Sequence, residues 1–115
     1  RVVEQARNGR LASDAVVGAT VTLSNLGGFG VRVFQALVTP PQVCALSIGA
    51  IAETPVGING ALAVRLGCSV GLTVDHRAAD GADAGRFLAD LCALVATPAQ
   101  LLQRRPTPAA GLRRA

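Results

Sequence analysis

A strand that runs directly into an amphipathic helix limits the fold of this chain more than any other feature. Residues 68–74 are small or β-branched, a run typical of a buried strand. The junction after them, residues 75–81, holds the only histidine of the chain, His76, with carboxylates one residue before it and four residues after it. From residue 82 onward, apolar side chains recur at helical spacing: Ala84, Phe87, Leu88, Leu91, Cys92 and Val95.

The segments before this junction carry their own structural signals. Gly9 ends a predicted helix, and alternating apolar and hydroxyl side chains predict a strand before the glycines of Asn25 to Gly30. Those glycines predict a tight turn, since they lack the spacing of either common phosphate-binding motif. In chain order we predict a helix over 1–8, a connector over 10–18 with a short turn capped by Ser13 or Asp14, a strand over 19–24 and an extended segment over 31–38.

The middle of the chain predicts a long antiparallel hairpin. Two strand-like runs, Val43 to Ala52 and Ala61 to Val74, flank a connector in which Asn59-Gly60 is a typical hairpin turn. The prolines at 40 and 41 exclude a helix and predict a stiff loop before the first run. The hairpin would lead straight into Asp75 and His76.

The end of the chain predicts little further structure. Thr97 and Pro98 open a predicted short helix over 99–103, and residues 104–115 read as a flexible tail. We therefore predict that residues 1–103 form the structured part of the chain and belong to a single domain. Because the chain has no methionine, we interpret it as the C-terminal portion of a longer protein.

Composition argues against nucleic-acid binding, metal binding and membrane insertion. All eleven basic residues are arginine and the net charge is +4, but the arginines are scattered without aromatic platforms, which disfavours nucleic-acid binding. The arginines are at least as well suited to binding a cofactor that carries phosphate groups. The three cysteines lie far apart in apolar runs, which predicts buried, reduced thiols, no metal site and a cytoplasmic protein. No apolar run is long enough for a membrane span.

His76 is the first candidate for catalysis, because imidazole transfers protons near neutral pH. Asp80, one helical turn later, has two readings: a charge partner for the imidazole, or the N-cap of the following helix. Ser24, at a strand end, is either a nucleophile, a donor to an oxyanion, or a structural serine bonded to backbone. No nucleophile-elbow motif surrounds it.

Two motifs resemble one enzyme family. Residues 75–81 look like the Asp-His-Arg-x-x-Asp-Gly signature of the acyltransferase component of 2-oxo acid dehydrogenase complexes, which include the dihydrolipoamide acetyl-, succinyl- and branched-chain acyltransferases. Residues 22–30 resemble the second motif of that family. Smaller matches follow at the family's spacing, and the likeness runs from Arg1 to about Leu102: Pro40-Pro41-Gln42, Gly49-Ala50-Ile51, Arg86-Phe87-Leu88, Pro98 and Leu101-Leu102.

The resemblance implies an α/β, chloramphenicol acetyltransferase-like fold, with a mixed or antiparallel sheet and flanking helices. It also implies a homotrimer or larger core, whose active sites lie between subunits and receive coenzyme A and a lipoyl group carried on a separate domain. His76 would be the general base, Ser24 of a neighbouring subunit would bond the oxyanion, and Asp80 would support the histidine electrostatically. Partners would be the lipoyl domain and the other complex components, with no metal, nucleic acid or membrane.

The likeness covers only about the C-terminal half of the family's catalytic domain. Thr39, Gly28, Cys44 and Gly71 depart from the usual pattern. Two other functions therefore stay open: a truncated, non-catalytic assembly module of the same fold, and acyl transfer to a free hydroxyl or amine. The motifs do not identify the acyl group.

Overall fold

The computed structural model describes residues 2–99, which contain two α-helices, two short 3-10 segments and five strands. The 3-10 segments span Ser13–Val16 and Gly27–Phe29. The predicted helix over 99–103 and the tail over 104–115 lie outside this range, apart from residue 99. The helices and strands are α1 (Val2–Arg7), β1 (Val21–Asn25), β2 (Cys44–Ile48), β3 (Ala52–Ile58), β4 (Ala61–Gly67), β5 (Val70–Val74) and α2 (Gly81–Ala96).

Three strands form a mixed sheet in the order β1-β2-β5. β1 is parallel to β2, and β2 is antiparallel to β5. At one end of the sheet Val21, Cys44 and Val74 lie side by side. At the other end the neighbours are Asn25, Ile48 and Val70. This arrangement confirms the predicted mixed sheet with flanking helices.

The second sheet is the hairpin of β3 and β4, which Asn59 and Gly60 connect. Both turn residues have positive φ, 51° and 81°, as a two-residue hairpin turn requires. The prediction of one continuous long hairpin was wrong, because the chain breaks strand pairing at residues 49–51 and 68–69. The outer arms, β2 and β5, belong to the mixed sheet, whereas residues 54–58, predicted as connector, belong to β3.

The two faces of the mixed sheet differ in chemistry. Helix α2 covers the face that carries apolar side chains such as Leu46 and Leu72, which line the spaces beneath the helix. The opposite face carries small and polar residues, because side chains alternate along each strand. The segment over 31–38, predicted to be extended, forms no strand. Part of it crosses the small-residue face, where Ala36 is buried and the Phe34 carbonyl lies near Gly71.

The chain buries few of its own apolar side chains. Within residues 2–99, Ala36, Ala45 and Leu46 are the buried hydrophobic residues, while Leu23, Phe29 and Leu62 are more than half exposed. The prediction of buried cysteines was therefore wrong: Cys68 and Cys92 are exposed and Cys44 is half-buried. All three are free thiols. They lie in apolar runs, as the sequence indicates, but this chain does not cover the surfaces that those runs form.

Two local predictions at the start of the chain have different outcomes. Helix α1 confirms the predicted helix over 1–8, and Gly9 ends it with a positive φ of 63°. The predicted short turn is the 3-10 segment at Ser13, but neither Ser13 nor Asp14 caps it. Ala12 holds the N-cap position, with no side-chain hydrogen bond.

No helix within residues 2–99 is long and apolar enough to span a membrane.

Candidate active site

His76 lies in a tight turn at the end of β5, and its side chain is exposed. The turn is tied to the sheet at one point, where the Asp75 amide donates to the Val43 carbonyl at 2.9 Å. The amides of Ala78 and Ala79 then donate to the Asp75 carbonyl at 2.9 and 3.2 Å. His76 is thus presented to solvent from a loop whose backbone is fixed on both sides of it.

Asp75 and Arg77 clamp this turn through their side chains. One Asp75 carboxylate oxygen accepts from the Arg77 amide at 3.0 Å, and the guanidinium donates to both oxygens, the shortest bond being 2.6 Å. These hydrogen bonds from Arg77 lower the pKa of Asp75 from 3.8 to about 2. They also raise the pKa of Arg77 above its ordinary value. The residue on each side of His76 is therefore charged, paired and locally constrained.

Asp80 caps helix α2, which confirms one of its two predicted roles. Its backbone is extended, and Oδ1 accepts from the Asp83 amide at 2.8 Å. Between residues 2 and 99, the structure has no hydrogen bond or ion pair between Asp80 and His76. Any effect of the carboxylate on the imidazole would act through space rather than through a bond.

Ser24 lies near the end of β1 on the small-residue face of the mixed sheet. It is half-buried and sits level with Ser47 on β2. Among the described residues, the Ser24 hydroxyl makes no hydrogen bond. The structure therefore does not support the interpretation of Ser24 as a structural serine bonded to backbone. Thr22, two residues earlier, differs in this respect because its hydroxyl donates to the side-chain oxygen of Gln42.

The glycine segment after β1 is a compact turn, as predicted. Asn25 Oδ1 accepts from the Gly27 amide at 2.8 Å, and Gly30 ends the short 3-10 segment with φ of 76°. A Cβ at Gly27 would come within 3.0 Å of the Gly49 carbonyl oxygen. The backbone after Ser24 is therefore held against the end of β2. Beside this turn lies a cavity of about 400 Å³.

The structure does not bring Ser24 and His76 together within one chain. Ser24 is level with Ser47 and, across β2, with Gly71, whereas His76 lies five residues beyond Gly71. At strand rise this separates them by about 16 Å along the sheet. His76 and Asp80 share one end of the sheet and Ser24 is at the other.

Residues 2–99 contain no group of three side chains suited to hold a metal ion.

Two features of this region were not predicted from the sequence. The clamp between Asp75 and Arg77 was not predicted, although both residues belong to the recognised signature. A carboxylate two residues before an arginine, directly after a strand, is the pattern that could have indicated it. The buried hydroxyl of Ser47 beside Gly71 was also missed, because only strand register shows that these residues are neighbours.

Comparison with known proteins gives consistent results. The family described as 2-oxoacid dehydrogenases acyltransferase (catalytic domain) matches residues 1–103. A curated relative is the dihydrolipoyllysine-residue acetyltransferase component of the acetoin cleaving system of Bacillus subtilis. It is 38% identical over 99 residues, which are 86% of this chain and 25% of the relative. This chain thus spans about a quarter of the length of the curated relatives it matches.

Two solved structures resemble the described fold. One is Azotobacter vinelandii dihydrolipoamide acetyltransferase, with a TM-score of 0.82 and 35% identity. The other is the cubic core of a pyruvate dehydrogenase multienzyme complex, with a TM-score of 0.82 and 36% identity. Each comparison covers 88% of this chain and 42% of the other. The prediction of a partial chloramphenicol acetyltransferase-like fold is confirmed.

The Azotobacter enzyme was studied for the role of one serine, one histidine and one asparagine in its catalytic mechanism. In that enzyme the serine stands 52 positions before the histidine, and the asparagine four positions after it.

Proposed function

Because this chain belongs to the 2-oxoacid dehydrogenase acyltransferase family, through its catalytic domain, we propose that it transfers an acyl group between dihydrolipoamide and coenzyme A. Several curated relatives that this chain matches are acetyltransferase components, which supports an acetyl group. The lipoyl group would arrive on a separate domain of a cytoplasmic 2-oxo acid dehydrogenase complex. The observation that carries the proposal is an exposed histidine on a clamped loop and a serine whose hydroxyl has no partner in the described chain.

His76 acts as the general base. Its imidazole takes the proton from the attacking thiol, and the thiolate sulfur forms a bond to the carbonyl carbon of the thioester. When the tetrahedral intermediate collapses, the carbon–sulfur bond to the leaving thiol breaks and the imidazolium returns the proton to that sulfur. Proton transfer of this kind contributes about 10²- to 10⁴-fold to the rate. The turn held by Asp75 and Arg77 supports the role, since it fixes the backbone on both sides of the imidazole.

Ser24 donates a hydrogen bond to the oxyanion of the tetrahedral intermediate. A donor aimed at developing charge stabilises the transition state more than the ground state. Two observations support this assignment: the hydroxyl has no hydrogen-bond partner within residues 2–99, and the adjacent turn holds the backbone rigidly.

Residue spacing supports the same assignment. Ser24 and His76 are 52 positions apart and Asp80 follows His76 by four, the separations of the serine, histidine and asparagine studied in the Azotobacter enzyme. The third position differs, since this chain has a carboxylate where that enzyme has an amide. Asp80 would therefore support the protonated imidazole by its negative charge rather than by donating a hydrogen bond.

The active site requires two copies of the chain. Ser24 and His76 of one chain lie at opposite ends of the sheet, about 16 Å apart along its strands. A neighbouring subunit can bring its Ser24 to this His76, as in the homotrimer or larger core that the family resemblance implies. The similarity to a cubic core supports such an assembly.

Subunit complementation tests this arrangement. Three samples of the full chain are compared for acetyl transfer from acetyl-coenzyme A to dihydrolipoamide: Ser24→Ala, His76→Ala, and both variants refolded together. We expect each variant alone to lose at least about a hundredfold in turnover. The mixture should recover about a quarter of wild-type activity, because random pairing of subunits returns that share of intact interfaces.

Three outcomes would contradict the proposal. A mixture no more active than its components would mean that Ser24 and His76 do not act across an interface. A wild-type chain that transfers no acetyl group would refute catalysis by this chain, and trimers without turnover would favour the assembly-module alternative. A preference for a free hydroxyl or amine over the dithiol would favour the other acyl-transfer alternative.

A further inference from the structure

A second cavity lies between the segment that carries Arg32 and the hairpin of β3 and β4. Its volume is about 480 Å³, within the range of small-molecule sites. Four of the side chains that line it carry N–H or O–H groups: Arg32, Thr54, Arg65 and Ser69. None of these four has a place in the acyl-transfer mechanism.

The strand register places two of these side chains on one wall. Thr54 on β3 and Arg65 on β4 are direct cross-strand partners, so their side chains stand on the same face of the hairpin. Arg32 reaches this wall from outside the hairpin, since its Nη2 donates to the Thr54 hydroxyl at 3.2 Å. The Arg32 guanidinium therefore bonds to Thr54, and Arg65 stands beside Thr54 on the same face of the hairpin.

No carboxylate of the described chain balances these two positive charges. The ion pairs within residues 2–99 are Asp75 with Arg77 and Asp83 with Arg86. The nearest acid in sequence, Glu53, pairs with Leu66 and stands on the opposite face of β3. Both arginines are exposed and make no ion pair within residues 2–99, so a bound anion would supply the counter-charge that the described chain lacks.

The backbone that carries Arg32 is held in place rather than free. The Ala50 amide donates to the Val31 carbonyl at 2.8 Å. Gly49 packs so closely that a Cβ there would overlap the Arg32 carbonyl oxygen. Because this backbone is fixed, Arg32 loses less freedom when it binds a ligand than an arginine on an open loop would lose.

We propose that Arg32 and Arg65 form a phosphate-binding site in this cavity, with the Ser69 hydroxyl as a further donor. The Thr54 hydroxyl donates to the Ala52 carbonyl and accepts from Arg32, so it positions the Arg32 guanidinium rather than donating to the ligand. Guanidinium groups match phosphate oxygens through paired hydrogen bonds, and hydroxyls can donate to the remaining oxygens. The ligand is a phosphate dianion from one of two sources, free inorganic phosphate or a phosphate group of coenzyme A. The second source rests on the proposed function. It is supported by Cys68, which lines both this cavity and the one beside the turn after Ser24.

Calorimetric titration of the full chain tests the proposal at constant ionic strength. The probes are potassium phosphate, coenzyme A, and pantetheine, which has the thiol arm without phosphate. The variants are Arg32→Gln and Arg65→Gln, and Arg32→Lys keeps the charge while losing the fork of donors. Arg10→Gln is the matched control, because it removes the same charge from an exposed residue that does not line the cavity. Circular dichroism checks that each variant keeps the wild-type secondary structure.

We expect each glutamine variant to raise the Kd for phosphate about tenfold, as for loss of a hydrogen bond to a charged group, and Arg10→Gln to change it less than twofold. If coenzyme A is the source, its Kd rises equally and that of pantetheine stays constant. If free phosphate is the source, coenzyme A does not compete with it. The proposal is refuted if neither phosphate ligand binds, or if Arg10→Gln weakens binding as much as the cavity variants. The phosphate arm does not depend on acyl transfer, so its failure is distinct from failure of the proposed function.

Discussion

The hydroxyl of Ser47 occupies the space that a side chain at Gly71 would need. The two residues are direct partners across β2 and β5, and a Cβ at position 71 would lie 2.5 Å from Ser47 Oγ. Ser47 is 3% exposed, so its hydroxyl has little room to move. Gly71 is thus matched to its neighbour on the central strand.

This contact predicts a coupled pair of substitutions. Gly71→Ala should lower the free energy of unfolding by about 1–3 kcal/mol, because the added methyl group overpacks a buried site. Ser47→Ala removes the oxygen, and the Ser47 Cβ is an acceptable 3.9 Å from the new methyl. Urea denaturation of both single variants and the double variant measures the coupling. Additive effects of the two substitutions would contradict the predicted contact.

Ser24→Ala should lower kcat for acetyl transfer about a hundredfold or more, as expected for loss of an oxyanion donor. Its KM should change little, because the hydroxyl acts on charge that develops only in the transition state. Thr22→Val is the matched control. It removes a hydroxyl from the same face of β1 that is already bonded to Gln42. Steady-state kinetics separate the two, and a similar loss in both variants would point to damage to the strand rather than loss of a catalytic donor.

Asp80→Asn and Asp80→Ala separate the two roles of Asp80. Asparagine caps helices as well as aspartate does, so the asparagine variant should keep its stability, whereas alanine should cost about 1 kcal/mol. If the negative charge supports His76, both variants should lose transfer activity to a similar extent. Full activity in the stable asparagine variant would restrict Asp80 to helix capping. Chemical denaturation and turnover are measured on the same samples.

The clamp between Asp75 and Arg77 predicts a pH-dependent loss of stability. The pKa of Asp75 falls from 3.8 to about 2 on folding, so the unfolded chain binds the proton more tightly. The stabilisation is therefore complete above about pH 4 and is lost as the pH falls towards 2. Urea denaturation of the wild type and of Arg77→Gln should show that the difference between their free energies of unfolding shrinks as the pH falls from 4 to 2. If the difference in free energy of unfolding stayed constant from pH 6 to pH 2, the Asp75–Arg77 pair would not be its source.

The sequence predicted the local elements and the order of the candidate residues well. The strand and helix around His76, the Asn59-Gly60 turn and the cap at Asp80 depend on neighbouring residues, which a single sequence contains. The division of the long hairpin into two sheets was not predictable from local patterns, because the break at Gly49 packs against the Arg32 backbone, which is distant in sequence. The exposure of Cys68 and Cys92 was missed for a similar reason, since an apolar run does not show whether the same chain covers it.

The likeness to solved catalytic cores favours an acyltransferase, and no observation specifically supports the alternative of a non-catalytic assembly module. The roles of Ser24, His76 and Asp80 stay predictions until the substitutions are made.

The position of β2 in the mixed sheet sets an order for folding during synthesis. β2 is the central strand, yet its antiparallel partner β5 ends 26 residues after β2 does. The hairpin of β3 and β4 is local and can pair as soon as Gly67 leaves the ribosome, since loop closure over few residues is fast. One edge of β2 stays open until Val74 emerges, and an unpaired edge can pair with another chain. Rapid synthesis of the residues that follow β2 would therefore shorten this exposure and favour correct pairing over aggregation.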